Sequence, residues 1–207
     1  ILSVLIGFSA MALGFYENSF NLTNSLLAIC ALILMHIAVN SFNSASDYRT
    51  GIDRETQKTP FSGGITTLVE GNISYINTVL IGLLAITLTL PIFIYFSYYR
   101  DSLIAISIFL IGIIISAGYT DFFARNYMGE IVAGLGLGSL PFFLIFYVQS
   151  GKITSNSIYL SALMFIPTFT LLLINEFPDI DVDKKKGRKN IPILIGKKNA
   201  VYVYMSS

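Results

Sequence analysis

Long apolar stretches alternate with short polar ones along the whole chain of 207 residues. Each apolar stretch is close to the roughly 20 residues that a helix needs to cross the hydrocarbon of a bilayer. The stretches cover 1–16, 25–45, 76–99, 102–119, 131–148 and 157–175. The pattern predicts an all-α, polytopic transmembrane bundle with six spans, and the apolar turn from Ala200 predicts the start of a seventh.

The composition supports a membrane protein. Hydrophobic residues make up 54% of the chain and charged residues 12%, and the mean hydropathy of +0.71 lies far above that of a soluble domain. The first span is already under way at residue 1, without an initiator Met. We therefore expect 1–207 to be a single transmembrane domain that is truncated at both ends.

Basic residues concentrate on one side of the membrane when the loops are assigned to alternate faces. Eleven of the 13 cations fall on that side, and only Arg100 and Lys152 fall on the other. The positive-inside rule makes the basic side cytoplasmic. Ten of the 12 carboxylates share it, which membrane topology does not require. This excess of acids indicates chemistry at the cytoplasmic helix ends.

The first polar segment leaves the second span. His36, Asn40, Asn43 and Asp47 follow one another by four, three and four residues, so they share one helix face, and Asp53 comes shortly after them. Polar side chains near a membrane helix end usually face the bundle interior, so this stripe predicts a cavity wall. For the asparagines the alternative is interhelical hydrogen bonding, and for His36 a packing role is at least as plausible as a catalytic one.

The second polar segment leaves the sixth span. Asn175, Asp179 and Asp183 are spaced by four residues, whereas Asp181 points elsewhere. Pro178 is awkward inside a helix, so we expect Asn175 to close the span and Asp179 to begin a fresh helical turn.

The two segments look like paired halves of one site. Oxygen ligands of this kind suit Mg²⁺, which binds through one or two carboxylates while substrate phosphates supply other ligands. Arg54, Lys58 and Arg188 are candidate phosphate partners. The alternative is a pair of solvated juxtamembrane loops. Gly134 and Gly138, in a Gly-x-x-x-Gly spacing, predict close helix packing.

These motifs resemble those of the UbiA superfamily of intramembrane prenyltransferases, and within it the MenA-like branch. The first family motif is matched by Asn43, Asp47 and Asp53, extended by Asn40 and Gly51, and the second by Asp179 and Asp183 with Asn175 before and Gly187 after. Tyr119-Thr120 and Tyr127-Met128-Gly129-Glu130 resemble the middle of MenA-like enzymes. Departures from the pattern are Glu176-Phe-Pro178 and the 58–64 segment, and they leave the acceptor open.

The resemblance implies a bundle of nine helices around a central cavity, open to the cytoplasm and to the bilayer. We expect Asn43, Asp47 and Asp53 to hold one Mg²⁺ and Asp179 and Asp183 another, both bound to a prenyl diphosphate that ionises to an allylic cation. Glu130 or Asp121 would act near the acceptor. Tyr119 and Tyr127 belong either to the interfacial aromatic belt or to the cavity, where a ring would stabilise the cation.

The expected partners are a prenyl diphosphate, an aromatic or lipid-like acceptor and the bilayer, without nucleic acid. The preferred acceptor is 1,4-dihydroxy-2-naphthoate, as in menaquinone biosynthesis, and geranylgeranylglyceryl phosphate is the alternative. A secondary transporter is the competing class. Transporter sites lie near the bilayer midplane, whereas these polar clusters lie at helix ends, which favours an enzyme.

Overall fold

The computed structural model describes residues 2–55, 67–100 and 103–207. Its elements are helices and helical turns: α1 Leu2–Tyr16, α2 Leu22–Thr50, α3 Ile52–Glu55, α4 Tyr75–Arg100, α5 Leu103–Gly118, a 3₁₀ turn Phe123–Arg125, α6 Gly129–Ala133, a π-helical turn Gly134–Ser139, α7 Leu140–Ser150, α8 Ser155–Asn175, α9 Ile180–Lys186, α10 Ile191–Ile195 and α11 Lys197–Ser206. The all-α prediction is confirmed.

The predicted spans correspond to apolar helices. Within the described part of the chain, α2, α4, α8 and the continuous run Gly129–Ser150 are long and apolar enough to cross a membrane. The remaining two, α1 and α5, are shorter apolar helices of 15 and 16 residues. α2 continues past the predicted boundary at residue 45 to Thr50, so Asp47 lies on the helix itself.

α2 is the central helix of the bundle. It packs against α1, α4, α5 and α7, and small buried side chains follow its length: Ala28, Ala31, Ala38 and Ala45. Small residues allow membrane helices to approach closely, which explains how one helix contacts so many others. Cys30, which lies between Ala28 and Ala31 on the same helix, is exposed.

A buried polar network joins four helices at the start of α2. Asn24 Nδ2 donates to the carbonyl of Val148 on α7 (3.0 Å), and Ser25 Oγ donates to Gln149 Oε1 (2.9 Å). Gln149 Nε2 donates to the carbonyl of Ala10 on α1 (2.7 Å), and Arg100 on α4 donates to the carbonyls of Val148 and Gln149. Hydrogen bonds satisfy these groups away from water, so they fix α1, α2, α4 and α7 together at this end.

The Gly-x-x-x-Gly spacing lies where the π-helical turn packs against α8. A β-carbon at Gly138 would stand 2.2 Å from the backbone carbonyl oxygen of Met164, and one at Gly134 would stand 2.5 Å from the Phe165 ring. Ser161 Oγ also donates to the carbonyl of Ser139 across this contact (2.8 Å). The prediction of close helix packing is confirmed.

Gly138→Ala is expected to lower the free energy of unfolding by about 1–3 kcal/mol, the usual range for overpacking. The clashing atom belongs to the backbone of α8, so a side-chain rotation cannot relieve it. Thermal unfolding in detergent measures the effect. Gly112→Ala is the control, because its β-carbon would meet only the terminal carbon of Met35 at 3.5 Å. Equal melting temperatures for the two variants would contradict the expectation.

Candidate active site

A cavity of about 450 Å³ lies inside the bundle, between α2, α5, α7, α8 and the helical turns before α7. One end is polar, and the remaining wall is mainly aliphatic and aromatic. The polar end is formed by Asn40, Asn43, Tyr119, Asn175, Glu176 and Arg188. The predicted central cavity is therefore present, and the asparagine stripe of α2 faces it as expected.

The first aspartate segment ends α2 at this polar end. Asp47 is only 5% exposed and accepts a hydrogen bond from Asn43 Nδ2 (3.0 Å), while Thr120 Oγ1 donates to Asn43 Oδ1 (2.9 Å). Gly51, with φ 77°, ends the helix and donates a hydrogen bond from its backbone N–H to the Asp47 carbonyl. Asp53 follows on α3 and is buried.

The second aspartate segment repeats this arrangement. α8 ends at Asn175 and α9 begins directly after Asp179, as predicted. Asp183 is fully buried on α9, and Gly187, with φ 81°, closes that helix through an N–H bond to the Asp183 carbonyl. In both segments, therefore, a glycine four residues after the aspartate donates its backbone N–H to the carbonyl of that aspartate.

Arg188 connects the two segments. Its Nη2 donates to Asp47 Oδ1 and, at 3.1 Å, to Asn43 Oδ1, while Nη1 lies 3.9 Å from Asp183 Oδ1. The side chain is only 16% exposed. The structure therefore brings the two halves of the predicted site together, although Asp47 and Arg188 are 141 residues apart in the sequence.

The aspartates around Arg188 crowd negative charge. Burial, and then the charge of Asp47, raise the pKa of Asp53 to about 6. Burial, and then the charge of Asp183, raise the pKa of Asp179 to about 6, and burial with the charge of Glu176 raises the pKa of Asp183 to about 7. Each raised pKa means that nearby positive charge does not fully balance the negative charge of the carboxylate. A further cation bound here would therefore be stabilised.

The donor set is suited to a hard cation. Asp53 Oδ2 and Asp183 Oδ1 are buried and make no hydrogen bond to any described residue, and the other donors of the motifs are also oxygens. In 2–55, 67–100 and 103–207 no three His, Cys, Asp or Glu side chains are already gathered as a metal site. Asn43, Asp47, Asp53, Asp179 and Asp183 are the residues whose oxygens could hold a metal.

Other predicted residues lie apart from this group. Asp121 is exposed and lines a separate pocket of about 220 Å³, where it accepts hydrogen bonds from Ser46 Oγ (2.6 Å) and Arg49 Nη2 (2.8 Å). The Ser46 bond is the main cause of its lowered pKa. Arg54 stacks over the Tyr48 ring at 5.4 Å. The structure therefore brings neither Asp121 nor Arg54 to the aspartate cluster.

Tyr119 lines the cavity, whereas Tyr127 lies outside its lining, with Lys189 Nζ 5.7 Å from its ring. Glu130 is fully buried, and its Oε1 accepts a hydrogen bond from the backbone N–H of Ile191 (2.6 Å). It is not part of the cavity wall that the described residues form. Lys58 lies outside the described residues.

The sequence matches the UbiA prenyltransferase family over residues 2–207. The chain belongs to this family. It is 29% identical over 207 residues to the 1,4-dihydroxy-2-naphthoate octaprenyltransferase of Bacillus subtilis (strain 168), a similarity that covers 99% of this chain and 64% of that relative. No solved structure matches. The resemblance inferred from the motifs is confirmed, and this UbiA chain is an integral multi-pass membrane protein.

Sequence reasoning assigned no role to two residues of this UbiA site. Glu176 lines the cavity, and Asn190 Nδ2 donates both to Glu176 Oε2 (2.8 Å) and to Asp183 Oδ2 (3.1 Å). Glu176 falls outside the four-residue spacing that marked its neighbours. Asn190 could have been found from the sequence as a helix N-cap, because an asparagine followed by Ile-Pro is typical of a helix start, and its side chain does cap α10.

His36 lines the cavity one helical turn deeper than Asn40. Its Nδ1 is hydrogen-bonded to Ser3 Oγ of α1. The imidazole is therefore held at the wall by a neighbouring helix, and the sequence alone gave no reason to expect this partner.

Proposed function

We propose that this UbiA chain transfers a prenyl chain from its diphosphate to an aromatic acceptor. One observation carries the proposal: Arg188 joins Asp47 and Asp183, which are far apart in sequence, and its side chain lines the polar end of the apolar cavity. The four motif aspartates lie beside that end and are not part of the lining that the described residues form. Such a cavity suits a substrate with a charged head and a hydrocarbon tail. The match to the UbiA family supports the same reaction class. Because the chain spans 64% of the length of its relative, the activity remains our proposal.

The proposed cofactor is Mg²⁺, held by Asn43, Asp47 and Asp53 on one side and by Asp179 and Asp183 on the other. The buried oxygens of Asp53 and Asp183 that accept no hydrogen bond from the described residues support this assignment. Bound Mg²⁺ supplies Lewis-acid stabilisation of the negative charge that develops on a departing diphosphate.

The protein side chains contribute the rest of the catalysis. Arg188 carries a fixed charge whose fork of N–H groups matches phosphate oxygens. The Tyr119 ring lines the cavity, where its face would stabilise the positive charge of an allylic cation. The aliphatic wall, which includes Leu32, Leu144 and Ile145, excludes the water that would otherwise capture this cation.

The proposed acceptor is 1,4-dihydroxy-2-naphthoate, named in the activity of the Bacillus subtilis relative. Its electron-rich ring forms the new carbon–carbon bond to the allylic cation, and departure of a proton or of CO₂ from the ring restores aromaticity. Neither Glu130 nor Asp121, the acids expected near the acceptor, lines the part of the cavity that the structure describes.

The test is a transfer assay with the purified full-length protein, labelled geranylgeranyl diphosphate and one acceptor at a time. We expect a prenylated naphthoate product that disappears when a chelator removes the divalent cations. A geranylgeranylglyceryl phosphate product without any naphthoate product would overturn the acceptor. No product with either acceptor, together with substrate counterflow in proteoliposomes, would replace the enzyme with a transporter.

A further inference from the structure

Arg188 lies at the place where a cation is needed. Its guanidinium is paired with Asp47 from α2 and faces Asp183 from α9, and both carboxylates are almost fully buried. An arginine does not lose its charge in a protein, so this positive charge is permanent. From this geometry we infer that Arg188 is a built-in counter-ion, which offsets part of the negative charge of the two aspartate segments until a diphosphate draws it away.

A divalent cation and Arg188 compete for the same carboxylates. While the guanidinium is bound to Asp47, a metal at this position meets a positive charge at contact distance and loses part of its ligand. Removal of a buried carboxylate from its partner is unfavourable unless another cation replaces that partner. Free metal alone must therefore bind weakly to this cluster.

A diphosphate removes the competition. Arg188 Nε is buried and makes no hydrogen bond to the described residues, and the side chain lines the polar end of the cavity. This N–H therefore has no acceptor in the described part of the protein that a phosphate oxygen would have to displace. Once the guanidinium moves onto the phosphate, the aspartate oxygens are free for metal. Metal and diphosphate should then raise each other's affinity, because coupling of this kind is reciprocal.

The inference rests on the proposed metal-dependent function. Mn²⁺ is a suitable probe for it, because electron paramagnetic resonance measures the concentration of unbound Mn²⁺ directly. In detergent, Arg188→Gln is expected to bind Mn²⁺ alone at least about tenfold more tightly than the wild type, a change of about 1.4 kcal/mol. The same variant is expected to bind labelled inorganic pyrophosphate at least about tenfold more weakly at equal free Mn²⁺, because it has lost the phosphate contact. Unchanged or weaker Mn²⁺ binding by Arg188→Gln would overturn the inference.

Two variants act as controls. Arg188→Lys keeps the charge and loses the fork, so its Mn²⁺ affinity should stay near that of the wild type while pyrophosphate binding falls. Arg49→Gln removes one cation from an exposed pair with Asp121 and should change neither affinity, which excludes an effect of net charge. If Arg188→Gln fails to fold, the wild type decides the question, since equal Mn²⁺ affinity with and without pyrophosphate contradicts a competing guanidinium.

A further variant separates failure of the inference from failure of the proposed function. Asp47→Asn should lose Mn²⁺ binding in the presence of pyrophosphate. If it binds Mn²⁺ as well as the wild type, the aspartates hold no metal and the proposed function itself fails. If it loses Mn²⁺ while Arg188→Gln gains nothing, only the role of Arg188 is wrong.

Discussion

Asp183→Asn is expected to lower prenyl transfer by at least about 1,000-fold, because a lost Lewis-acid contribution of several kcal/mol costs a factor of ten for each 1.4 kcal/mol. Asp183 is fully buried, and one of its oxygens has no hydrogen-bond partner among the described residues. Asparagine keeps the size of the side chain and removes its charge. The measurement is the initial rate of labelled prenyl transfer at saturating Mg²⁺, with size-exclusion chromatography to show that the variant is folded.

Asp181→Asn is the matched control for this experiment. Asp181 lies on the same short helix, α9, two residues before Asp183, and it is exposed. The same chemical change there should leave the rate within about twofold of the wild type, as is usual for exposed positions away from a site. Similar rates for both variants would show that the buried position of Asp183 has no catalytic meaning.

Glu130→Ala is expected to lower the free energy of unfolding by about 1–3 kcal/mol, since it leaves the part-buried N–H of Ile191 without its acceptor. That hydrogen bond holds the start of α10 against α6. The residues just before α10 include Arg188 and Asn190, which contact Asp47 and Asp183, so a shift of this segment would disturb the site. Activity should therefore fall together with stability. Thermal unfolding and the transfer assay, performed on the same preparation, measure both effects.

Glu130→Gln separates the positioning role from acid–base chemistry. The amide oxygen of glutamine can accept the same N–H bond, so stability and activity should both remain close to those of the wild type. A general acid or base would instead lose its proton-transferring group in this variant. A folded but inactive Glu130→Gln protein would restore the interpretation that the sequence suggested for this residue.

The sequence predicted the features that depend on periodicity and on the membrane as solvent. The apolar spans, the shared face of Asn40, Asn43 and Asp47, and the new helix after Asp179 all follow from the 3.6-residue repeat and from proline geometry. These are local properties, which neighbouring residues determine by themselves.

Long-range pairing was beyond the same reasoning. Asp121 and Asp47 both lie at the helix ends that the charge pattern assigned to one side of the membrane, yet only Asp47 belongs to the central cluster. Hydropathy locates a residue along the membrane normal, whereas packing between helices determines which way it faces. For the same reason the sequence could not show that Glu130 accepts a backbone hydrogen bond from Ile191, 61 residues away.

Cys30 offers a spectroscopic use for this protein. It is the single cysteine of the chain, it is exposed, and it lies on α2, the helix that carries Asp47. A nitroxide attached there needs no engineered thiol. The two positions are 17 residues apart, which corresponds to roughly 26 Å along a straight helix. A spin label at Cys30 and a paramagnetic ion at the aspartates would thus form a ready distance pair, which reports directly where the ion binds.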